Sequence, residues 1–167
     1  MKKKNRSALF ITQAAMIAAI YVVLTYFINA FGLANGAIQV RISEALTILP
    51  VFTPAAIPGL FIGCLLSNTL TGCMVLDIVF GSLATLAGAI GTYLLRNTKF
   101  AFTLPPVIAN TIVVPLVLRY CYGLGDAIWY LVLTVAVGEI ISVCILGFIL
   151  KKVLWKYRQT IFRNDEE

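Results

Sequence analysis

The octet QVRISEAL, residues 39–46, places Arg41 and Glu44 three residues apart in a region otherwise free of charge. Asp77 and Glu139 interrupt two further apolar runs, and Asn68 and Asn110 add amides to similar surroundings. A carboxylate accepts paired N–H donors or an ammonium, an amide both donates and accepts, and a guanidinium donates to a carbonyl. Such a set can bind a polar ligand, and an acid with no cation beside it can await a positively charged one. Acid–base or nucleophilic catalysis is poorly served: the chain has no histidine, and no Ser or Cys has an evident partner base. There is no G-x-x-x-x-G-K-[ST], so this chain lacks the P-loop cradle for a nucleoside triphosphate. The four cysteines (Cys64, Cys73, Cys121, Cys144) show no C-x-x-C spacing, so free thiols are expected, with no metal and no cofactor.

The elements that position these groups must sit in lipid. Of 167 residues 60% are hydrophobic and 12% charged, and the mean hydropathy is +0.96, which indicates an all-α integral membrane protein. Charge is absent from Ser7 to Val40, Ala45 to Leu76, Ile78 to Leu95 and Phe100 to Leu118, and Glu139 alone interrupts Ala127 to Leu150. The basic start MKKKNR precedes a long apolar run with no convincing cleavage site before Asn29, so a retained first helix is expected. The positive surplus serves to orient the chain in a membrane and does not indicate nucleic acid.

The block 45–76 would be about 48 Å long as one helix, too long for a hydrocarbon core of about 30 Å. It also carries Pro50, Pro54 and Pro58, which favour a break. Counted as one crossing, it gives five passes and puts Arg96, Lys99 and the basic tail opposite Lys2–Lys4 and Arg6. Counted as two, it gives six passes with both termini cytoplasmic, and only Arg41 and Arg119 lie outside. The positive-inside rule selects six. The expected helices are 8–30, 42–53, 55–71, 75–96, 100–121 and 126–155 in a single domain, 1–167. The second is so short that it must tilt or stop partway. Trp155 and Tyr157 suit the cytoplasmic interface, and Trp129 and Tyr130 the outer one.

A charge at mid-bilayer costs on the order of 3 kcal/mol by insertion scales, so each one needs a reason. Arg41, Glu44, Asp77 and Asn68 are expected toward the outer side, Asn110 and Glu139 near mid-depth, all facing one outward-open cavity. Simpler roles compete. Arg41 and Glu44 can pair with each other, Asp77 can favour the start of its helix, and Asn110 can bridge two helices. Glu139 has no cation at its depth, so it pairs with an amide, meets water, stays neutral or awaits a cationic ligand. Small residues mark helix contacts: Ala14–Ala18 and Ala15–Ala19 on the first helix, Gly59–Gly63–Ser67 on the third, and the run GSLATLAGAIGT on the fourth. For the last two, internal packing is expected. For the first, internal packing and docking of another membrane protein both remain open.

The stretches GAIQVRISEALTILPVFTPAAIPGLFIGCLLSN and LDIVFGSLATLAGAIGTYL resemble the QueT family, the queuosine-precursor substrate-binding (S) components of energy-coupling factor transporters. The resemblance covers most of the chain. It implies a six-helix bundle with a pocket near the outer side, in a bacterial cell membrane, binding 7-aminomethyl-7-deazaguanine or a close relative. It also implies a membrane coupling subunit, docked on Ala14, Ala15, Ala18 and Ala19, and two cytoplasmic ATPases; the chain itself would not be an enzyme. For such a ligand Glu139, Glu44 and Asp77 supply anions, Asn110 and Asn68 amides, and Arg41 a donor, while Phe80, Trp129 or Tyr130 offers a stacking face. Rival readings are a self-sufficient gradient-driven carrier, a small membrane enzyme or assembly factor, and an S component for another vitamin or purine.

Overall fold

The computed structural model describes residues 2–30, 41–123 and 125–162, which form helices and turns with no strand among them. Helix α1 (Lys2–Ala30) is followed by a 3-10 helix (Ile42–Val51), α2 (Ala56–Leu70), α3 (Val75–Leu94), α4 (Leu104–Tyr120) and α5 (Ile128–Glu139). A π-helix (Ile140–Leu146) joins α5 without a break to α6 (Gly147–Ile161). Six main helical stretches thus occur among the described residues near the expected positions, with the first starting at Lys2, α4 at Leu104 and the last running on to Ile161, against the expected 8, 100 and 155. Four of them, 6–30, 75–94, 101–120 and 128–158, are long and apolar enough to cross a membrane. Arg163, a member of the basic tail, lies outside the described residues.

Glycines set the closest helix contacts. A Cβ added at Gly59 would stand 2.7 Å from the Ala14 carbonyl oxygen, and one at Gly63 would stand 2.8 Å from Tyr21 Cβ and 3.1 Å from Ala18 Cα. Residue numbers rise together along this contact, so α1 and α2 run parallel. The segment between them must run the opposite way, and it does: Glu44 meets Tyr21, and Thr53 donates to Gln13 Oε1 at 2.8 Å. The α3–α4 contact follows the same rule, with Gly88 against Pro106 and Gly91 against Pro105. Both prolines occupy the first turn of α4, where a missing N–H costs nothing and the fixed φ suits a helix start.

The second segment is the axis of the bundle. Every residue from Ser43 to Pro50 is buried, and the helix touches α1, α2, α3, the π-helix and α6. Ten residues wound as 3-10 reach about 20 Å, where an α-helix would reach about 15 Å. Pro50 has no N–H for an α-helical bond, and Thr47 Oγ1 donates to the Glu44 carbonyl at 2.6 Å, a bond across three residues. The segment is shorter than α1 and is bonded to it at Tyr21 near its start and at Gln13 just beyond its end. Its turn is level with Gln13 and is covered by aromatic rings: Phe52 stacks on Phe162 at 5.2 Å and 10°, with Trp155 at 6.0 Å.

The α2–α3 turn is fixed by Gly72 at φ 75°. The Gly72 N–H donates to the Thr69 carbonyl at 3.2 Å and the Cys73 N–H to that of Asn68 at 3.0 Å, the paired bonds that close a helix on a left-handed glycine. This turn delivers Asp77 into the first turn of α3.

Candidate functional site

Two carboxylates and one amide meet inside the bundle. Asn110 Nδ2 donates to Glu44 Oε2 at 3.3 Å and to Glu139 Oε1 at 3.1 Å, joining the axis to α5 through α4. The Tyr21 hydroxyl donates to Glu44 Oε1, a charge-assisted contact from α1. All four residues are buried. Two carboxylate oxygens bound to one nitrogen lie about 6 Å apart. Two negative charges at that spacing repel by about 3 kcal/mol at an effective dielectric constant of about 20. Both N–H groups of Asn110 therefore oppose this repulsion, and the Arg41 charge at the head of the axis acts on both acids.

A second polar group continues from the first toward the Asp77 end of α3. Cys64 Sγ accepts from Thr85 Oγ1 at 3.4 Å and from Asn68 Nδ2 at 3.7 Å. Gly81 separates Asn68 from Asp77: a Cβ there would lie 3.2 Å from Asn68 Nδ2 and 3.4 Å from Asp77 Oδ1. The Tyr122 hydroxyl donates to Asp77 Oδ2 at 2.9 Å and accepts the Met74 N–H at 3.2 Å. Gly123, at φ 65°, makes the turn that follows Tyr122. Partial burial, with the nearby Asp77 charge, pushes the Tyr122 phenol up to about 12, so it remains a donor at neutral pH. Polar side chains thus succeed one another from Tyr122 and Asp77 through Asn68 to Cys64, whose electrostatic neighbours are Tyr21 and Glu44 of the first group.

The structure sorts the expected residues. Asn110, Glu44 and Glu139 come together, so Glu44 belongs to the deep group and not with Arg41 and Asp77 as expected. Glu44 bonds Tyr21 and Asn110 instead of pairing with Arg41. Asp77 bonds Tyr122, and the N-terminus of α3 has no side-chain cap. Asn110 does bridge two elements, and Glu139 does pair with an amide. Phe80, Trp129 and Tyr130 are exposed and are not brought to the carboxylates. On α3 the inward positions are Asp77, Gly81, Thr85 and Gly88, which turns Phe80 outward. The two alanine rows of α1 part company: Ala18 is buried and Ala14 half-buried against α2, while Ala15 and Ala19 are exposed.

Sequence reasoning does not single out Tyr21, Cys64, Tyr122 or Ser142. A tyrosine in the middle of an apolar helix, about one turn beyond Ile17 and Ala18, is the only signal for Tyr21. Ser142 sits in the π-helix that begins immediately after Glu139. Such wide turns are rare and recur at functional sites. Where the π-helix gives way to α6, Gly147 lets the backbone approach the axis, since a Cβ there would stand 2.9 Å from Ile48 Cγ2. All four cysteines are free, and no group of metal-ligating side chains occurs among the described residues.

The QueT transporter family matches residues 11–156, a span that contains every polar residue of this site. The chain belongs to the QueT transporter family. One relative, "Queuosine precursor transporter QueT" of Lactococcus lactis subsp. cremoris (strain MG1363), is 37% identical over 84 residues. That overlap covers 50% of this chain and 48% of the relative, so the chain spans about half the length of the curated relative it matches. No solved structure matches. Family membership and the long apolar helices together make this QueT member a multi-pass protein of the cell membrane.

Proposed function

We propose that the chain is the substrate-binding membrane subunit of an ATP-driven importer of the energy-coupling factor type, with 7-aminomethyl-7-deazaguanine or a close deazapurine as substrate. It acts as one six-pass domain with both termini in the cytoplasm. A membrane coupling subunit docks on the small-residue face of α1, where Ala15 and Ala19 are open, and two cytoplasmic ATPases hydrolyse the nucleotide. The observation that carries the reading is the pair of buried carboxylates, Glu44 and Glu139, held by one amide in an apolar bundle. Two acids placed in lipid at this cost fit a ligand that brings positive charge and N–H donors. The ring edge of a deazaguanine supplies the donors and its aminomethyl arm the charge. The family and the name of the relative point to the same chemistry. The polar route from Asp77 and Tyr122 is the entry path, and Arg41 orients Glu44 or meets the ligand carbonyl.

Calorimetry on the purified chain, with 7-aminomethyl-7-deazaguanine beside a panel of purines and vitamins, tests the substrate. Saturable binding of the deazapurine alone is expected. Binding of a different vitamin or purine in its place overturns the assignment. Reconstitution in liposomes tests the energetics: uptake is expected only with the coupling subunit and ATPases present. Gradient-driven uptake by the chain alone would identify a self-sufficient carrier instead.

A further inference from the structure

We infer that Glu139 Oε2 and Ser142 Oγ form a subsite for a primary ammonium group of the substrate, distinct from the contacts made to its ring; this rests on the binding role proposed above. Most polar atoms of the deep group are already engaged. Glu44 has both oxygens bonded, one to Tyr21 and one to Asn110. Asn110 gives its Nδ2 to both carboxylates. Glu139 is divided: Oε1 accepts from Asn110, while Oε2 has no hydrogen-bond partner among the described residues, although Glu139 is only 6% exposed. Ser142 is 1% exposed, and its Oγ is likewise without a partner among the described residues.

Several buried hydroxyls in this bundle bond to their own helix, as Ser67 does to the Cys64 carbonyl, Ser82 to that of Ile78 and Thr85 to that of Gly81. Thr25 Oγ1 and Thr111 Oγ1 share with Ser142 Oγ the lack of a partner among the described residues; of these three, only Ser142 lies on the same helix as Glu139 and three residues from it. Ser142 lies in the π-helix and makes no such bond. Glu139 and Ser142 are three residues apart and buried on the inward side of one continuous helix. Leaving either atom unbonded is costly, so both are ligand atoms. Their chemistry selects among donors. A guanine-type edge presents two coplanar N–H groups and is best met by both oxygens of one carboxylate, whereas at Glu139 only Oε2 is unengaged. An ammonium presents three donors and no acceptor, and one carboxylate oxygen with one hydroxyl oxygen meets two of them with the right charge.

The test uses two probes on the full-length chain, 7-aminomethyl-7-deazaguanine and 7-methyl-7-deazaguanine, which share a ring and differ in the amine. Wild type should prefer the amine by at least about tenfold. Ser142→Ala and Glu139→Gln should each weaken the amine probe by about tenfold and change the methyl probe by less than about twofold. Ser142→Thr, which restores the hydroxyl, should keep the preference and guards against a packing effect. Equal losses for both probes, or no preference in wild type, overturn the subsite while the binding role stands. Failure of folded wild type to bind either probe overturns the binding role, and the subsite with it.

Discussion

Replacing Asn110 with alanine tests the central arrangement most directly. The substitution removes two N–H···O bonds to carboxylates, at 3.3 and 3.1 Å. Bonds to charged groups are worth about 1.5–3 kcal/mol each, and distances near the long end of the usual range point to the lower figure. The loss is therefore about 3 kcal/mol from hydrogen bonding alone. It also leaves Glu44 and Glu139 facing each other across about 6 Å without the bridging donor, adding repulsion of comparable size. Thermal unfolding in detergent, followed by circular dichroism, should show a midpoint lowered by roughly 12–24 °C, taking the two contributions together as about 6 kcal/mol and about 2–4 °C per kcal/mol. A second change separates repulsion from lost packing. Glu139→Gln in the Asn110→Ala background relieves the like charge and should recover about half of the loss, whereas Glu139→Gln alone should not stabilise to that extent. An Asn110→Ala protein melting with wild type, or a double variant no better than Asn110→Ala, would refute the idea that this amide holds two acids together.

The other expectations concern single contacts. Tyr21→Phe removes the phenol donor from Glu44 and should cost about 1.5–3 kcal/mol, read as a lower unfolding midpoint. Gly88→Ala should destabilise by about 1–3 kcal/mol because its Cβ would stand 2.7 Å from the Pro106 Cα, whereas Gly147→Ala has one tight contact, the Ile48 Cγ2 methyl at 2.9 Å, and no close backbone atom, and should cost less; midpoints in the reverse order would contradict the packing. Tyr122 has a phenol raised to about 12, so its contribution is complete below the ordinary tyrosine value near 10 and fades as pH rises from there through about 12. The stability difference between wild type and Tyr122→Phe should shrink across that window. A constant difference would show that the proton of Tyr122 is not involved.

Charge gaps and prolines make the helical segments legible, because a long uncharged run can hardly be anything else in a chain this apolar. The short second segment is legible as a misfit, but its 3-10 winding is not: winding there depends on the five elements that enclose it, and local residues carry little preference. For the same reason the depth of Glu44 differs from expectation. Charge spacing locates the ends of a run and says little about how far below the surface a helix begins. Glu139 and Asn110 are recognisable because an acid and an amide in lipid demand partners. Tyr21 and Ser142 are not, since isolated hydroxyls in apolar helices usually bond their own backbone, as Thr12 does to the Ala8 carbonyl. Ser142 lies in the π-winding after Glu139, and no residue type announces that winding. Trp129 and Tyr130 have the composition of interface anchors, and their exposure fits that role better than a stack on a ligand.

The buried 3-10 axis also bears on how the molecule is made. Ile42–Val51 is ten residues long and carries Ser43, Glu44 and Thr47, so it is too brief and too polar to partition into a bilayer by itself. It must be brought in by its neighbours, as a hairpin with α2, after α1 has been laid down. Faults along this stretch should therefore appear first during biogenesis, as poor insertion and rapid turnover of the nascent chain, and only afterwards as altered affinity in whatever protein survives.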